Sequence, residues 1–166
     1  MAMPRWFYLL LGAVFLFSGC APVLSQRVLD ESTENVPFWD LQRHTENYIG
    51  KSVLLGGTVI QVGQDASGSW VEVLQRPLGY RLEPQIDDRP GGRFLLLSDG
   101  VLEEEIFSKG RKITVAGIVQ GKETRPLDQT TYDYPLLKIR EYHLWPKGNY
   151  PSRPRVFFSL GLFHSF

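Results

Sequence analysis

The chain has 166 residues, which suits one domain with short tails. Hydrophobic residues make up 43% and charged residues 22%, which argues against disorder of the whole chain. The 18 basic and 18 acidic residues cancel, so no basic surplus can neutralise phosphates, and we expect no nucleic-acid partner. The single cysteine excludes an internal disulfide and a cysteine-based metal cage.

Residues 1–19 have the order of regions found in a signal peptide. Arg5 is their only charge, an apolar run follows over 7–17, and the small residues Ser18 and Gly19 come next. An apolar run of this length is too short to span a bilayer comfortably as a helix. The pattern predicts a signal peptide over 1–19, with a short membrane helix as the alternative.

The four residues Phe17-Ser18-Gly19-Cys20 resemble the lipobox of bacterial lipoproteins, with Phe17 in place of the common Leu. The resemblance implies a diacylglyceryl thioether on Cys20, cleavage before it and acylation of the new amine. Several acyl chains hold a protein stably on a membrane, whereas one anchors it only marginally. An unpaired thiol is a liability in an oxidising compartment unless it is modified. The alternative is a secretory signal with an incidental cysteine.

The residue after Cys20 bears on sorting. In the enterobacterial sorting rule, Asp at this position retains a lipoprotein at the inner membrane, whereas this chain has Ala21. The resemblance therefore implies a lipid-anchored protein of the outer membrane, with its domain on the periplasmic side. The segment that follows is polar and contains prolines, which predicts a lipidated N-terminus and tether over 20–37.

The region 38–146 is predicted to be one mainly β domain. Phe38, Leu41 and Tyr48 form an apolar helical stripe that ends at Gly50, which predicts a short helix. Runs of β-branched, aliphatic or alternating residues then predict five strands, over 52–62, 69–75, 93–97, 111–121 and 134–145. A glycine-containing turn between the first two strands predicts a hairpin.

Two finer predictions follow from residue spacing. Residues 101–110 have the spacing of one or two helical turns, between the third and fourth strands. Alternation along the fifth strand predicts that Leu137, Ile139 and Trp145 share one face. The stretch between the fourth and fifth strands is polar and rich in turn residues.

Five strands with a helix between the third and fourth match the OB-fold, a small five-stranded antiparallel barrel. Gly56, Gly57 and Gly117 lie inside predicted strands, where glycine permits the coiling or bulging that a small barrel needs. The predicted fold is thus a small OB-like barrel with one or two short helices. A twisted antiparallel sheet or a sandwich is the alternative.

The segment 147–166 is proline-rich at first and then apolar and aromatic. A single strand of about ten residues cannot span a membrane alone, because its backbone groups would stay unsatisfied in lipid. We expect its apolar half to pack against the barrel or to contact a partner. Contact with the bilayer is the alternative.

The body of the chain resembles the Slp family of bacterial outer-membrane lipoproteins, whose founding member is starvation-inducible. Five segments in order carry the resemblance: "YIGKSVLLGGTVIQV", "WVEVLQRPLGYRLEP", "GGRFLLL", "KGRKITVAGIVQGKE" and "YDYPLLKIREYHLWP". The resemblance implies a lipid-anchored outer-membrane protein with a β-rich domain. It supplies no catalytic residues, so Cys20 is the one functional position it transfers.

The sequence supports neither catalysis nor a bound metal or cofactor. Glu103, Glu104 and Glu105 would fan outward on a helix, and the Asp87-Asp88 pair suits a turn. His44, His143 and His164 match no ligand spacing, and no nucleophile motif or phosphate-binding loop is present. We therefore expect a protein without enzymatic activity.

Two functional hypotheses remain. The first is a structural or envelope-interaction lipoprotein, with a stress or starvation role and an envelope protein or glycan as partner. The second is a periplasmic OB-type binding module for a glycan, a peptide or a small ligand. For the second, one barrel face would present aromatic rings, and the candidates are Trp70, Tyr80, Tyr132, Tyr134, Tyr142 and Trp145. Packing of these rings in the core or at strand edges is the competing interpretation.

Overall fold

The computed structural model describes residues 23–32, 36–66, 68–86 and 90–147. Five strands in these ranges close into one barrel in the order β1-β2-β3-β5-β4. The strands are β1 (Ser52–Asp65), β2 (Gly68–Arg76), β3 (Arg93–Ser98), β4 (Lys112–Leu127) and β5 (Thr130–Leu144). The helical elements are α1 (Gln26–Glu31), α2 (Phe38–Arg43) and a 3₁₀ helix (Thr45–Tyr48). The apolar tail predicted within 147–166 lies outside the described residues.

The strand order is that of an OB-type barrel. Neighbouring strands are antiparallel except β3 and β5, which run parallel along Leu95–Leu97. The first half of β1 pairs with β4 and its second half pairs with β2, so β1 closes the barrel. The predicted fold class is confirmed, and closure of the sheet excludes the open sheet and the sandwich.

The barrel core is built by alternation along each strand. Successive side chains point to opposite faces, so every second residue enters the interior. Val71 and Val73 of β2 and Phe94 and Leu96 of β3 are fully buried in this way. The other strands contribute Val53, Leu55, Val59, Ile113, Val115, Val119 and Leu137.

Helix α2 covers one end of the barrel, as the apolar stripe predicted. Phe38 and Leu41 are buried in the core, and the Phe38 ring lies 5.9 Å from that of Phe94. The chain leaves the 3₁₀ helix through Gly50, whose φ of +80° favours glycine. None of the helices in the described ranges is long and apolar enough to cross a bilayer.

The segment 101–110 forms turns instead of the predicted helix. One helical hydrogen bond forms, from Phe107 N–H to the Glu103 carbonyl. The Ile106 carbonyl accepts from the Arg111 guanidinium, and the Leu102 N–H donates to the Ser69 hydroxyl. These bonds hold the segment in a turn, because they take backbone groups that a longer helix would use.

The fifth strand contains a β-bulge that changes which residues face the core. Gly117 pairs with Ile139 and Ala116 with Glu141, so Arg140 is the extra residue. Leu137 and Ile139 pack on the core as predicted. After the bulge the alternation reverses, and the prediction for Trp145 is wrong for this reason.

The strands β4 and β5 extend beyond the barrel as a two-stranded ribbon, here called the β4–β5 arm. It pairs residues from Gly121↔Leu136 to Leu127↔Thr130, in the stretch that the sequence analysis treated as turn-rich. The arm lies over the outer face of β2 and β3. Its Tyr134 reaches Glu72, and the guanidinium of Arg125 lies 4.5 Å from the centre of the Trp70 ring.

Candidate functional site

A cleft lies between the start of α2 and the loop that joins β2 to β3. Its volume is about 500 Å³. Val36, Pro37 and Phe38 form one wall, and the middle of β1 forms the floor. The opposite wall comes from the end of β2 and from the loop residues, among them Pro77, Leu78 and Leu82.

The loop over residues 77–86, here called the β2–β3 loop, is a small hairpin fixed to the barrel. Leu78 and Pro84 pair as an isolated β-bridge, and the Leu78 side chain lies against Gly56. A Cβ atom at Gly56 would come within 2.2 Å of Leu78 Cδ2, so glycine is needed for this contact. The Thr114 hydroxyl donates to the Leu82 carbonyl at 2.5 Å. The inner side of the loop is therefore held in place.

The outer side of the β2–β3 loop exposes apolar side chains. Tyr80 is 92% exposed and Ile86 78% exposed. Tyr80, a candidate binding aromatic from the sequence, lies at the loop tip beside the cleft. Ile86 was not predicted, because a loop rich in proline and glycine gives no periodic signal for exposure.

Helix α1 packs on the outer face of β1 and β4, where the sequence predicted a tether. Leu24 and Val28 are buried against Ala116, and Leu54 packs against the same cluster. The signal for this helix was weak, because six residues with one buried side chain, Val28, define no apolar stripe.

Polar contacts fix both ends of α1 to β5. The Glu141 carboxylate accepts from the Ser25 hydroxyl at 2.6 Å and from the Ser25 N–H at 2.7 Å. These two bonds hold the pKa of Glu141 below its ordinary value. At the other end, Arg140 Nη1 lies 2.7 Å from Glu31 Oε2, which lowers the pKa of Glu31, with a smaller contribution from Arg27.

A buried carboxylate lies under the β4–β5 arm. Glu72 is 5% exposed, and its Oε1 accepts from Arg93 Nη1 at 2.7 Å and from the Tyr134 hydroxyl at 3.3 Å. Its Oε2 accepts from Gln61 Nε2 at 2.7 Å. Burial raises the pKa of Tyr134, so its phenol keeps the proton that it donates. Because both carboxylate oxygens are engaged, Glu72 is suited to holding the arm in place.

The predicted aromatic residues do not share one binding face. Trp70 packs under Arg125, and Tyr132 packs edge-on against the buried Tyr134. Trp145 is buried and donates from Nε1 to the Thr114 hydroxyl at 3.0 Å, while the Tyr142 ring lies 5.2 Å from the buried Phe107 ring. Apart from Tyr80, these rings are packing residues of the barrel and the arm.

The other candidate residues are likewise dispersed. Glu103, Glu104 and Glu105 lie exposed in the turn segment, and the His143 ring packs edge-on against Trp145. No group of three or more metal-ligating side chains occurs in the described ranges. Cys20, the Asp87-Asp88 pair and His164 lie outside those ranges, so the structure does not show them.

The fold and its surfaces define a small OB-type barrel with an N-terminal helix and a fixed loop on the outer face of β1 and β4. A family model described as the outer membrane lipoprotein Slp family matches residues 17–160. The chain belongs to this family, which confirms the resemblance seen in the sequence.

Three relatives extend the comparison. An uncharacterized protein of Haemophilus influenzae is 32% identical over 96 residues, which cover 57% of this chain and 52% of that protein. Outer membrane protein Slp of Escherichia coli is 22% identical over 139 residues, covering 82% of this chain and 73% of its own. The uncharacterized lipoprotein YeaY of E. coli is 22% identical over 130 residues, covering 78% and 67%.

The match spans about half of the length of the H. influenzae protein. The family description and the relatives' names place the chain among outer-membrane lipoproteins. The protein is therefore an outer-membrane lipoprotein, and the names describe no enzymatic activity.

The buried ion pair under the arm yields a stability prediction. Arg93→Met should lower the free energy of unfolding by about 3 kcal/mol, because the Glu72 carboxylate would stay buried without its cation. Denaturant unfolding followed by tryptophan fluorescence measures the change. The double variant Glu72→Gln/Arg93→Met should be more stable than Arg93→Met alone.

The matched control is the exposed pair between Arg27 and Glu31, at 3.0 Å. Arg27→Met should change the stability by at most about 0.5 kcal/mol, because water screens exposed pairs. Equal losses for the Arg27 and Arg93 variants would contradict the assignment of Glu72 as a buried, paired charge.

The lowered pKa values of Glu141 and Glu31 predict that acid releases α1 from the barrel. A carboxyl whose pKa is lower in the docked state stabilises docking above its ordinary pKa, about 4.3, and loses that contribution as the pH falls further. As the pH is lowered, the protection factors for hydrogen exchange at the Val28 and Leu29 amides should therefore fall at a higher pH than those of the β1 amides. Glu141→Gln should weaken protection at neutral pH and flatten its pH dependence. Unchanged α1 protection in both tests would contradict the role of Glu141.

Proposed function

We propose that a lipid on Cys20 anchors this barrel to the periplasmic face of the outer membrane, where it has a structural or envelope-interaction role. The observation that carries the proposal is the position of Leu24, which is 1% exposed and packed on the barrel. Leu24 is four residues after Cys20. At 3.3–3.6 Å per extended residue, the barrel surface at Leu24 lies within about 14 Å of the anchor.

A short connection of this kind restricts where the domain can act. A long flexible tether lets a domain search far from the membrane, whereas this one holds the barrel next to the lipid surface. An envelope protein or a glycan that binds the barrel must then lie in the same thin layer. The family's starvation-inducible founding member extends the proposal to a role under nutrient stress.

The test of the anchor is the intact mass of the membrane-extracted protein together with sucrose-gradient fractionation. We expect a chain that begins at Cys20, carries the mass of three acyl chains and sediments with outer-membrane fractions. The control is Cys20→Ala, which keeps the barrel but removes the thiol, and should leave an unlipidated chain outside those fractions. An unmodified wild-type chain would contradict the proposal.

A second candidate function, a binding module, is favoured by the cleft beside α2. Its volume of about 500 Å³ falls in the range of small-ligand sites, and polar groups share its walls with apolar side chains. In this function a small ligand with both apolar and polar groups would lie between Pro37 and Leu78. Val36 and Leu82 would close the two sides of the site.

Pro77→Trp tests the binding module, because a bulky ring at the cleft mouth should exclude a ligand. Native mass spectrometry of the gently extracted protein should show a bound small molecule in the wild type and none in Pro77→Trp. Ala66→Trp, in the exposed β1–β2 turn, is the control and should retain the molecule. A wild-type protein that carries no bound molecule argues against this second function.

A further inference from the structure

The β2–β3 loop presents two exposed apolar side chains on a fixed scaffold. Tyr80 and Ile86 are 92% and 78% exposed, while Leu78, on the same hairpin, is packed against Gly56. Other exposed apolar residues, such as Val101, belong to other segments, and single ones are ordinary on a protein surface. A hairpin that packs on the barrel through Leu78 and also carries two exposed apolar residues is suited to contact a surface outside the barrel.

The described N-terminal segment, residues 23–32, points toward the β2–β3 loop. Its later part lies at the start of β1, where Ser32 hydrogen-bonds with Ser52, and its earlier part lies beside Ala116 and Leu54. Gly56 lies two residues after Leu54 on β1, and Leu78 of the loop packs against it. From Ser32 back to Leu24, the chain therefore runs along the outer face of β1 and β4 in the direction of the β2–β3 loop.

We propose that the β2–β3 loop rests on the bilayer surface, with Tyr80 and Ile86 in contact with phospholipid. The inference relies on the proposed lipid anchor at Cys20. Leu54 packs against the cluster of Leu24, Val28 and Ala116 and also lines the cleft below the loop, so Leu24 and the loop lie close together. With the anchor within about 14 Å of Leu24, the exposed apolar side chains of the loop lie on the same outer face of the barrel as the start of the anchored segment.

The chemistry of the two side chains fits a lipid interface. A tyrosine ring has an apolar body and a hydroxyl at its tip, so it is favourable where hydrocarbon meets water. Ile86 adds apolar area that water otherwise surrounds. Because the Thr114 hydroxyl and the Leu78–Pro84 bridge hold the loop, little ordering would accompany the contact.

Fluorescence quenching at single labelled positions tests this orientation. In the lipidated full-length protein Cys20 is blocked, so an engineered cysteine is the one free thiol. Tyr80→Cys, Ile86→Cys and the control Val101→Cys each carry the environment-sensitive dye NBD. The proteins are reconstituted into vesicles of phosphatidylethanolamine and phosphatidylglycerol that contain a doxyl-labelled phospholipid.

Val101 is a matched control for Ile86, because it is 76% exposed and apolar but lies at the other end of the barrel. The neighbouring Leu102 N–H bonds to Ser69 at the start of β2, whereas the β2–β3 loop follows the end of β2. The nine residues of β2 separate the two ends by about 30 Å at 3.3 Å per residue.

We expect quenching several-fold stronger at positions 80 and 86 than at 101, with blue-shifted emission at the first two. Equal quenching at the three positions, or stronger quenching at 101, in protein that floats with the vesicles would overturn the inference and leave the anchor intact. A protein whose Cys20 takes the dye and that stays off the vesicles would overturn the proposed anchor, and this inference with it.

Discussion

Closure of the barrel depends on the pairing of one strand, β1, with two partners. Gly56, Gly57 and Thr58 pair with β4 on one side and with β2 on the other. A strand can serve both neighbours only if it coils sharply, and glycine at the bend removes the side chains that would obstruct it. A Cβ atom at Gly57 would lie 2.4 Å from the Leu74 carbonyl oxygen, so the adjacent backbone of β2 occupies that space.

The same bend determines what covers the outside of the sheet. Since Gly56 presents no side chain, Leu78 packs directly on the backbone there, and the β2–β3 loop lies flat on the outer face. Helix α1 covers the adjacent position through Leu24 and Val28. The outer face of β1 and β4 thus becomes a second, smaller packing layer that brings the N-terminal segment and the loop together.

Much of the barrel could be predicted from the sequence because its strands are buried on one face and bounded by turn residues. The five strands follow from that signal, and α2 follows from its apolar helical stripe. The turns over 101–110 and the position of Trp145 were not predictable, because each depends on distant partners. The Ser69 hydroxyl and the Arg111 guanidinium hold the turn, and a single bulge at Arg140 reverses the alternation on β5.

The surface features were harder to predict than the core. Burial of Glu72 depends on the β4–β5 arm, and the arm lies in a stretch with the composition of a turn. The exposure of Tyr80 and Ile86 depends on which side of the loop packs on Gly56, which residue type alone does not specify. Apolar composition predicts burial well, whereas exposure of an apolar residue follows only from the tertiary contacts.

The hydrogen bond from Tyr134 to the buried Glu72 carboxylate explains how the arm keeps one position on the barrel. Apolar contacts alone tolerate sliding of one surface over another. The Glu72 carboxylate does not, because a shift of the arm would remove the Tyr134 hydroxyl from a buried charge. Replacing a buried ion pair by apolar residues often leaves a protein equally stable, so we interpret Glu72 as fixing the arm's position through Tyr134. The barrel then presents one defined surface to its surroundings, since the loop and the arm are both held by side-chain contacts to the sheet.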